Sequence, residues 1–166
     1  LSGDETSNYL ECTNLTTKVP SGATIDGFVV SIERRAATPT DEFYSSTTTD
    51  SLIRLVSFGL MKGDNKSTGA TWGYTDTTVT YGGSTDKWNV PVDLTDTDVN
   101  DSSFGVRLSS RTVWSGASYQ SDAEVDAITV TIYYTGGGGG AAQFAVGPYI
   151  PTAQVVGTHR VYASAT

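Results

Sequence analysis

From Val19 to Arg35 the chain reads VPSGATIDGFVVSIERR, a turn followed by a long alternating stretch in one reading frame. Pro20, Ser21 and Gly22 carry turn chemistry, after which Phe28, Val30 and Ile32 fall on one side and Val29, Ser31 and Glu33 on the other. A period of two with one apolar side is the pattern of a half-buried antiparallel strand. It returns at Ser103 to Ser109, where Phe104, Val106 and Leu108 oppose Gly105 and Arg107, and at Glu124 to Tyr134, where Ile128, Val130, Ile132 and Tyr134 oppose Thr129, Thr131 and Tyr133. Strands of this kind, separated by turn clusters and with no stretch of helical period, predict an all-β protein built as an antiparallel β-sandwich.

Composition agrees. Of the 166 residues 37% are hydrophobic and only 17% charged, with Thr, Ser and Gly filling the polar positions, as suits strand faces and tight turns. That content supports one sandwich core. A first strand is predicted at Tyr9 to Leu15 after a loose, polar start at Leu1 to Asn8, a long loop at Ala36 to Asp50, and strands at Ser51 to Ser57 and Thr77 to Tyr81. Leu94 to Asn100 predicts one helical turn, because Thr95 precedes Asp98 at capping-box spacing. Residues 1–135 read as the sandwich domain, 136–140 as an all-glycine linker and 141–166 as a C-terminal arm. The arm's Phe144, Val146, Tyr149, Ile150, Val155, Val161 and Tyr162 make it too apolar for an idle tail and too short for its own core. Docking on a neighbouring subunit or another protein, by strand addition or groove filling, is the expectation preferred over folding back.

The net charge of -8 and the lack of a Lys/Arg cluster disfavour nucleic acid. No apolar run approaches the roughly 18 residues of a membrane span, so no membrane partner is expected. The single cysteine, Cys12, forms no intrachain disulfide and reads as a small buried thiol. A start at Leu1 instead of Met implies processing or a numbering that begins inside a longer product.

Catalytic chemistry finds little to use. The one histidine, His159, lies beyond the glycine run, away from any nucleophile and base arrangement, and no phosphate-binding glycine loop, dinucleotide fingerprint or paired-cysteine metal spacing occurs. Glu11, Glu33 and Glu124 sit at outward strand positions where solvated surface is the default. No enzyme activity and no cofactor are expected. Asp96, Asp98 and Asn100 match the first three ligand positions of a calcium loop, but Asp101 replaces its glycine and Arg107 its glutamate, so a capped turn is preferred. Asn14, Asn65 and Asn100 each begin a glycosylation sequon, a weak signal in a Ser/Thr-rich chain. Trp72, Tyr74, Tyr81 and Trp88 could form a sugar-binding aromatic platform, against the more frequent role of such residues in cores and interfaces.

Taken in order, Ser7-Asn8-Tyr9-Leu10, PSGATIDGFVVSIERR, Asn65-Lys66, Trp72, YGGSTDKW, VNDSSFGVRL and VDAITVTIYYT resemble a jelly-roll-like β-sandwich domain of tailed-bacteriophage virion proteins, including head decoration and fibre proteins. The likeness spans roughly residues 7–135. It implies a non-enzymatic decoration or cement protein on the outer surface of a phage head. Its implied partners are the major capsid protein or another virion protein and further copies of itself, as in a trimer. The alternative it implies is a host-glycan-binding module of a tail fibre or spike. An upstream strand common in such domains has no counterpart before Leu1, and the glycine-linked arm is not part of the shared pattern.

Overall fold

The computed structural model describes residues 2–15, 18–37, 45–115 and 123–136, together with the backbone of two strands at Gln143–Tyr149 and His159–Val161. It is an all-β, antiparallel sandwich. The elements in chain order are β1 (Ser2–Thr6), β2 (Leu10–Thr13), β3 (Ala23–Ala36), β4 (Ser45–Ser57), β5 (Leu60–Lys62), β6 (Thr77–Gly83), α1 (Asp96–Asn100), β7 (Gly105–Ser115), β8 (Ala123–Gly136), β9 (Gln143–Tyr149) and β10 (His159–Val161).

In one sheet β7 lies between β4 and the pair β1 and β2, with β5 on the far side of β4; in the other β3 lies between β6 and β8, and β9 and β10 both pair with β8. From β2 to β8 the chain crosses between the sheets at every connection except the β4–β5 hairpin, which gives the jelly-roll-like character.

β3 shows why the alternation matters. Ile25, Phe28, Val30, Ile32, Arg34 and Ala36 point inward and are buried, while Val29, Ser31, Glu33 and Arg35 are half-exposed. A register shift between Ile25 and Gly27 restores the frame after the turn, and a second, between Glu33 and Arg34, keeps Arg34 and Ala36 opposite Val125 and Ala123 of β8. Phe28 meets Phe104 across the sheets with ring centroids 5.8 Å apart, and Val30, Leu55, Val106 and Val130 complete the centre of the core. Cys12 is buried on β2, as expected of a small apolar thiol.

Several boundaries differ from expectation. The polar start forms a strand: β1 pairs with β7 from Ser2↔Ser115 to Thr6↔Arg111, and β2 continues the same edge from Leu10↔Leu108. Ser7 bridges them, its N–H bonding to the Ser110 carbonyl and its hydroxyl accepting from the Ser110 N–H. An edge strand buries little, so polar residues suffice there. β4 begins at Ser45, inside the stretch expected to be loop, because Thr48 and Asp50 supply the inward positions that an apolar pattern leaves blank. Thr71 to Gly73 add a stitch beside these strands: Thr71 bridges Thr49, the Trp72 N–H bonds to the Thr48 carbonyl, and the Gly73 carbonyl accepts from the Ala36 N–H.

The arm was expected to prefer another molecule. In this chain β9 pairs with β8 from Ile128↔Tyr149 to Tyr134↔Gln143, and β10 pairs with Ala123 to Val125, so both strands cap the β8 edge of their own sheet. The first glycine of the run, Gly136, is the last residue of β8 and pairs with Ala23.

Candidate functional site

The most distinctive chemistry lies inside the sandwich. The inward frame of β3 carries past Ile32 to Arg34, and the inward frame of β4 carries Asp50; both are almost wholly buried. They meet as an ion pair across the two sheets, Arg34 Nη1 to Asp50 Oδ1 at 3.2 Å. Asp50 also accepts from Trp72 Nε1 at 2.8 Å, from the Tyr81 hydroxyl at 2.9 Å and from Thr68 Oγ1 at 3.4 Å. The Arg34 guanidinium stacks on the Trp72 ring, 4.5 Å from its centroid. Burial, and then the negative charge of Asp50, push the Tyr81 phenol above its ordinary value, so it remains a neutral donor. Every group here serves Asp50. The cluster is a tie between layers, with no activated nucleophile and no base free to take a proton.

At the other end of the core, Trp88 is completely buried and surrounded by the loop that precedes and includes it. Its indole N–H bonds to the Phe28 carbonyl at 3.1 Å. Its backbone is held at φ +57° by the Asp86 carboxylate on its N–H and by the Asp64 N–H on its carbonyl. Two glycines make room for it. A Cβ at Gly82, which itself sits at φ +85°, would lie 2.2 Å from the Phe28 carbonyl oxygen and 2.5 Å from Trp88 Nε1; one at Gly63 would lie 2.1 Å from the Trp88 carbonyl oxygen. Lys66 closes the ring from outside, paired with Asp86 at 2.8 Å and 5.9 Å above the indole.

The proposed sugar platform therefore does not assemble. Trp72, Tyr81 and Trp88 are 5%, 4% and 0% exposed, and only Tyr74 reaches the surface. An indole or phenol buried in the core cannot stack on a sugar in solvent. A shallow cleft lined by Ile25, Phe28, Lys87, Val90, Asp93 and Leu94 encloses about 180 Å³, including open solvent, short of the ~300 Å³ at which small-molecule pockets begin.

Asp96, Asp98 and Asn100 are brought together on α1, each with a partner in the chain. Thr95 caps the helix through Asp98, the two side chains forming a reciprocal capping box. Asn100 accepts from the Val19 N–H and donates to the Val19 carbonyl, both at 2.8 Å, and Asp96 accepts from the Gly22 N–H at 3.2 Å. Lys18 donates to the Asn100 carbonyl. This turn fastens the start of β3. Among the described residues no three His, Cys, Asp or Glu side chains gather as metal ligands.

The Asn65 and Asn100 amides also act as stand-ins for peptide groups. Asn65 accepts from the Ile53 N–H and donates to the Ser51 carbonyl, covering the β4 edge where the β5 ladder ends. Glu11 and Glu124, expected as solvated carboxylates, are paired instead: Glu11 with Arg107, and Glu124, itself buried, with Arg35. Phe144, Val146 and Tyr149 lie on β9 and Val161 on β10, while Ile150, Val155 and Tyr162 fall outside the described residues.

Arg34 and Asp50 escaped the sequence reading, although the same alternation that places Phe28, Val30 and Ile32 inward places Arg34 there too. Asp50 left no comparable signal, since it ends a run of Ser and Thr. Among the described residues Tyr9, Phe58, Leu60, Tyr74, Val92 and Val113 are the large apolar side chains that face out. The β4–β5 hairpin turns through Phe58 and Gly59, both at positive φ, and holds Phe58 and Leu60 at 58% and 62% exposure. Comparison with protein-family models, with curated proteins and with solved structures finds no match for the chain.

Proposed function

We propose that the chain is a non-enzymatic structural protein of a virion, a decoration or cement protein on the outer surface of a tailed-phage head. It binds the major capsid protein and assembles as a homo-oligomer such as a trimer. The observation that carries the reading is the destination of the reactive and aromatic side chains. Arg34, Asp50, Tyr81, Trp72 and Trp88 are consumed in holding the two layers together, which suits a scaffold. The exposed Phe58 and Leu60 offer an apolar knob for a protein surface. The resemblance of its ordered strand and turn phrases to those of virion sandwiches supports the setting.

Imaging of particles from the virus that encodes the chain, labelled with gold-tagged antibody against it, tests the proposal. Label over the head at high copy is expected. Label at the tail tip moves the protein to the fibre class, and unlabelled particles end the virion reading. Phe58→Asp with Leu60→Asp should reduce attachment to the head at least ~10-fold while leaving the circular dichroism of the free protein unchanged.

A further inference from the structure

We propose that β9 and β10 exchange between two copies of this chain, each arm pairing with β8 of the other. The inference holds with or without the virion setting, because it rests on how the arm is attached. The arm's described attachment is a main-chain ladder: Ile128↔Tyr149 through Tyr134↔Gln143, then Val125↔His159 through Ala123↔Val161. A second copy presents the same β8 edge with the same spacing of donors and acceptors, so exchange preserves every backbone pair and leaves the β3 ladder on the opposite edge untouched.

The connection favours this freedom. Beyond Gly136, the last residue of β8, it spans 137–142 and is glycine from 137 to 140, with no Asn-Gly or Asp-Gly pair to set a tight reversal. Antiparallel neighbours commonly close with about two to five residues. Fully extended, 137–142 reaches roughly 20 Å at about 3.3 Å per residue, enough to cross to an adjacent molecule. Glycine takes either sign of φ without cost, so the sequence of the connection does not commit the arm to return.

β8 needs a cover in either arrangement, since its Val, Ile, Thr and Tyr residues would otherwise present an open template for any strand. β9 in turn contains Pro148, opposite Thr129, which removes one main-chain donor from the strand. Two opposing effects set the extent of exchange. The tether keeps an arm at an effective concentration on the order of millimolar near its own β8, and a net charge of -8 on each copy resists approach. Crowding of copies on a surface, and salt, shift the balance to exchange.

The test uses the full chain in two single-site forms, Thr131→Cys and Val146→Cys, at positions paired across β8 and β9. Cys12 stays in place, buried, and the unmodified chain controls for it. Mixed, oxidised and run without reductant, the two forms should give a covalent heterodimer. Its yield should rise at least ~10-fold between about 10 µM and 1 mM protein, and again on going from low to ~0.5 M salt. The double variant should link within one chain when dilute. Intrachain linkage at every concentration, with no heterodimer from the mixture, overturns exchange; absence of both links overturns the β8–β9 pairing on which it depends.

Discussion

The two ends of the sandwich core are built on one strand frame and closed by opposite chemistry. At the Trp88 end, β3 contributes Phe28, which packs with Phe104 and an indole whose single polar atom finds the Phe28 carbonyl. At the other end the same face contributes Arg34, which needs Asp50, and Asp50 in turn needs Trp72, Tyr81 and Thr68. Apolar burial is additive and forgiving, since each methylene contributes about 0.8 kcal/mol wherever it is covered. A buried ion pair is conditional. It is worth little over an apolar substitute, yet the loss of one member strands the other in a medium that cannot solvate it. A mispairing at the polar end therefore strands a charge, whereas one at the apolar end loses only covered area.

The largest expected effect tests the frame both ends share. Val30→Asp places a carboxylate at a fully buried position and should prevent folding, while Ser31→Asp next to it should change the melting temperature little. Equal damage from both, read by circular dichroism and thermal melts, breaks the picture of a strand with one inner and one outer face. Next comes the ion pair. Asp50→Ala should cost about 3–5 kcal/mol in urea denaturation by leaving Arg34 buried and unpaired, whereas Arg34→Met combined with Asp50→Leu should recover most of that loss. A double variant no better than the single one would mean that Asp50 matters for Trp72 and Tyr81 rather than for Arg34.

At the apolar end, Trp88→Phe removes ring volume and the bond to Phe28, and a loss of about 2 kcal/mol is expected. A value matching Asp50→Ala would erase the contrast between the ends. Weaker still is the dependence on acid. Partial burial works to raise Asp86, but the hydrogen bond from Lys66 and then the Trp88 N–H outweigh it, so its carboxyl titrates below the ordinary 3.8. A lowered folded-state value means that this stabilisation is present above about pH 4 and is lost as pH falls through the folded value. Lys66→Met should flatten that part of the pH profile. Least of all is expected from metal removal: millimolar chelator should shift the melting temperature by under ~1 °C, because Asp96, Asp98 and Asn100 already bond to Thr95, Val19 and Gly22, and a calcium-dependent rise of many degrees would reopen the loop as an ion site.

Much of this architecture is legible in residue order. Turn residues at Pro20 to Gly22, alternation along β3 and β8, and the capping pair Thr95 and Asp98 are local, and local chemistry acts before any partner is in place. Strands written in Ser and Thr were harder to see. β1 and the first half of β4 lack an apolar side, because their buried positions are few or filled by Thr48 and Asp50. The aromatics were ambiguous for a related reason: an indole or phenol has one polar tip, and its orientation depends on where an acceptor happens to lie.

Side-chain period and turn chemistry alone therefore determined that the chain is a β-sandwich and that Phe28, Val30 and Ile32 of β3 and Ile128, Val130, Ile132 and Tyr134 of β8 face inward. Only the tertiary structure decided that Arg34 meets Asp50, that Asn65 covers a strand edge, and that the arm beyond the glycines returns to β8. Each of these joins groups with no fixed spacing in the chain, and burial makes them interdependent: a charge, an amide or a strand edge removed from water is stable only beside the partner that replaces that water.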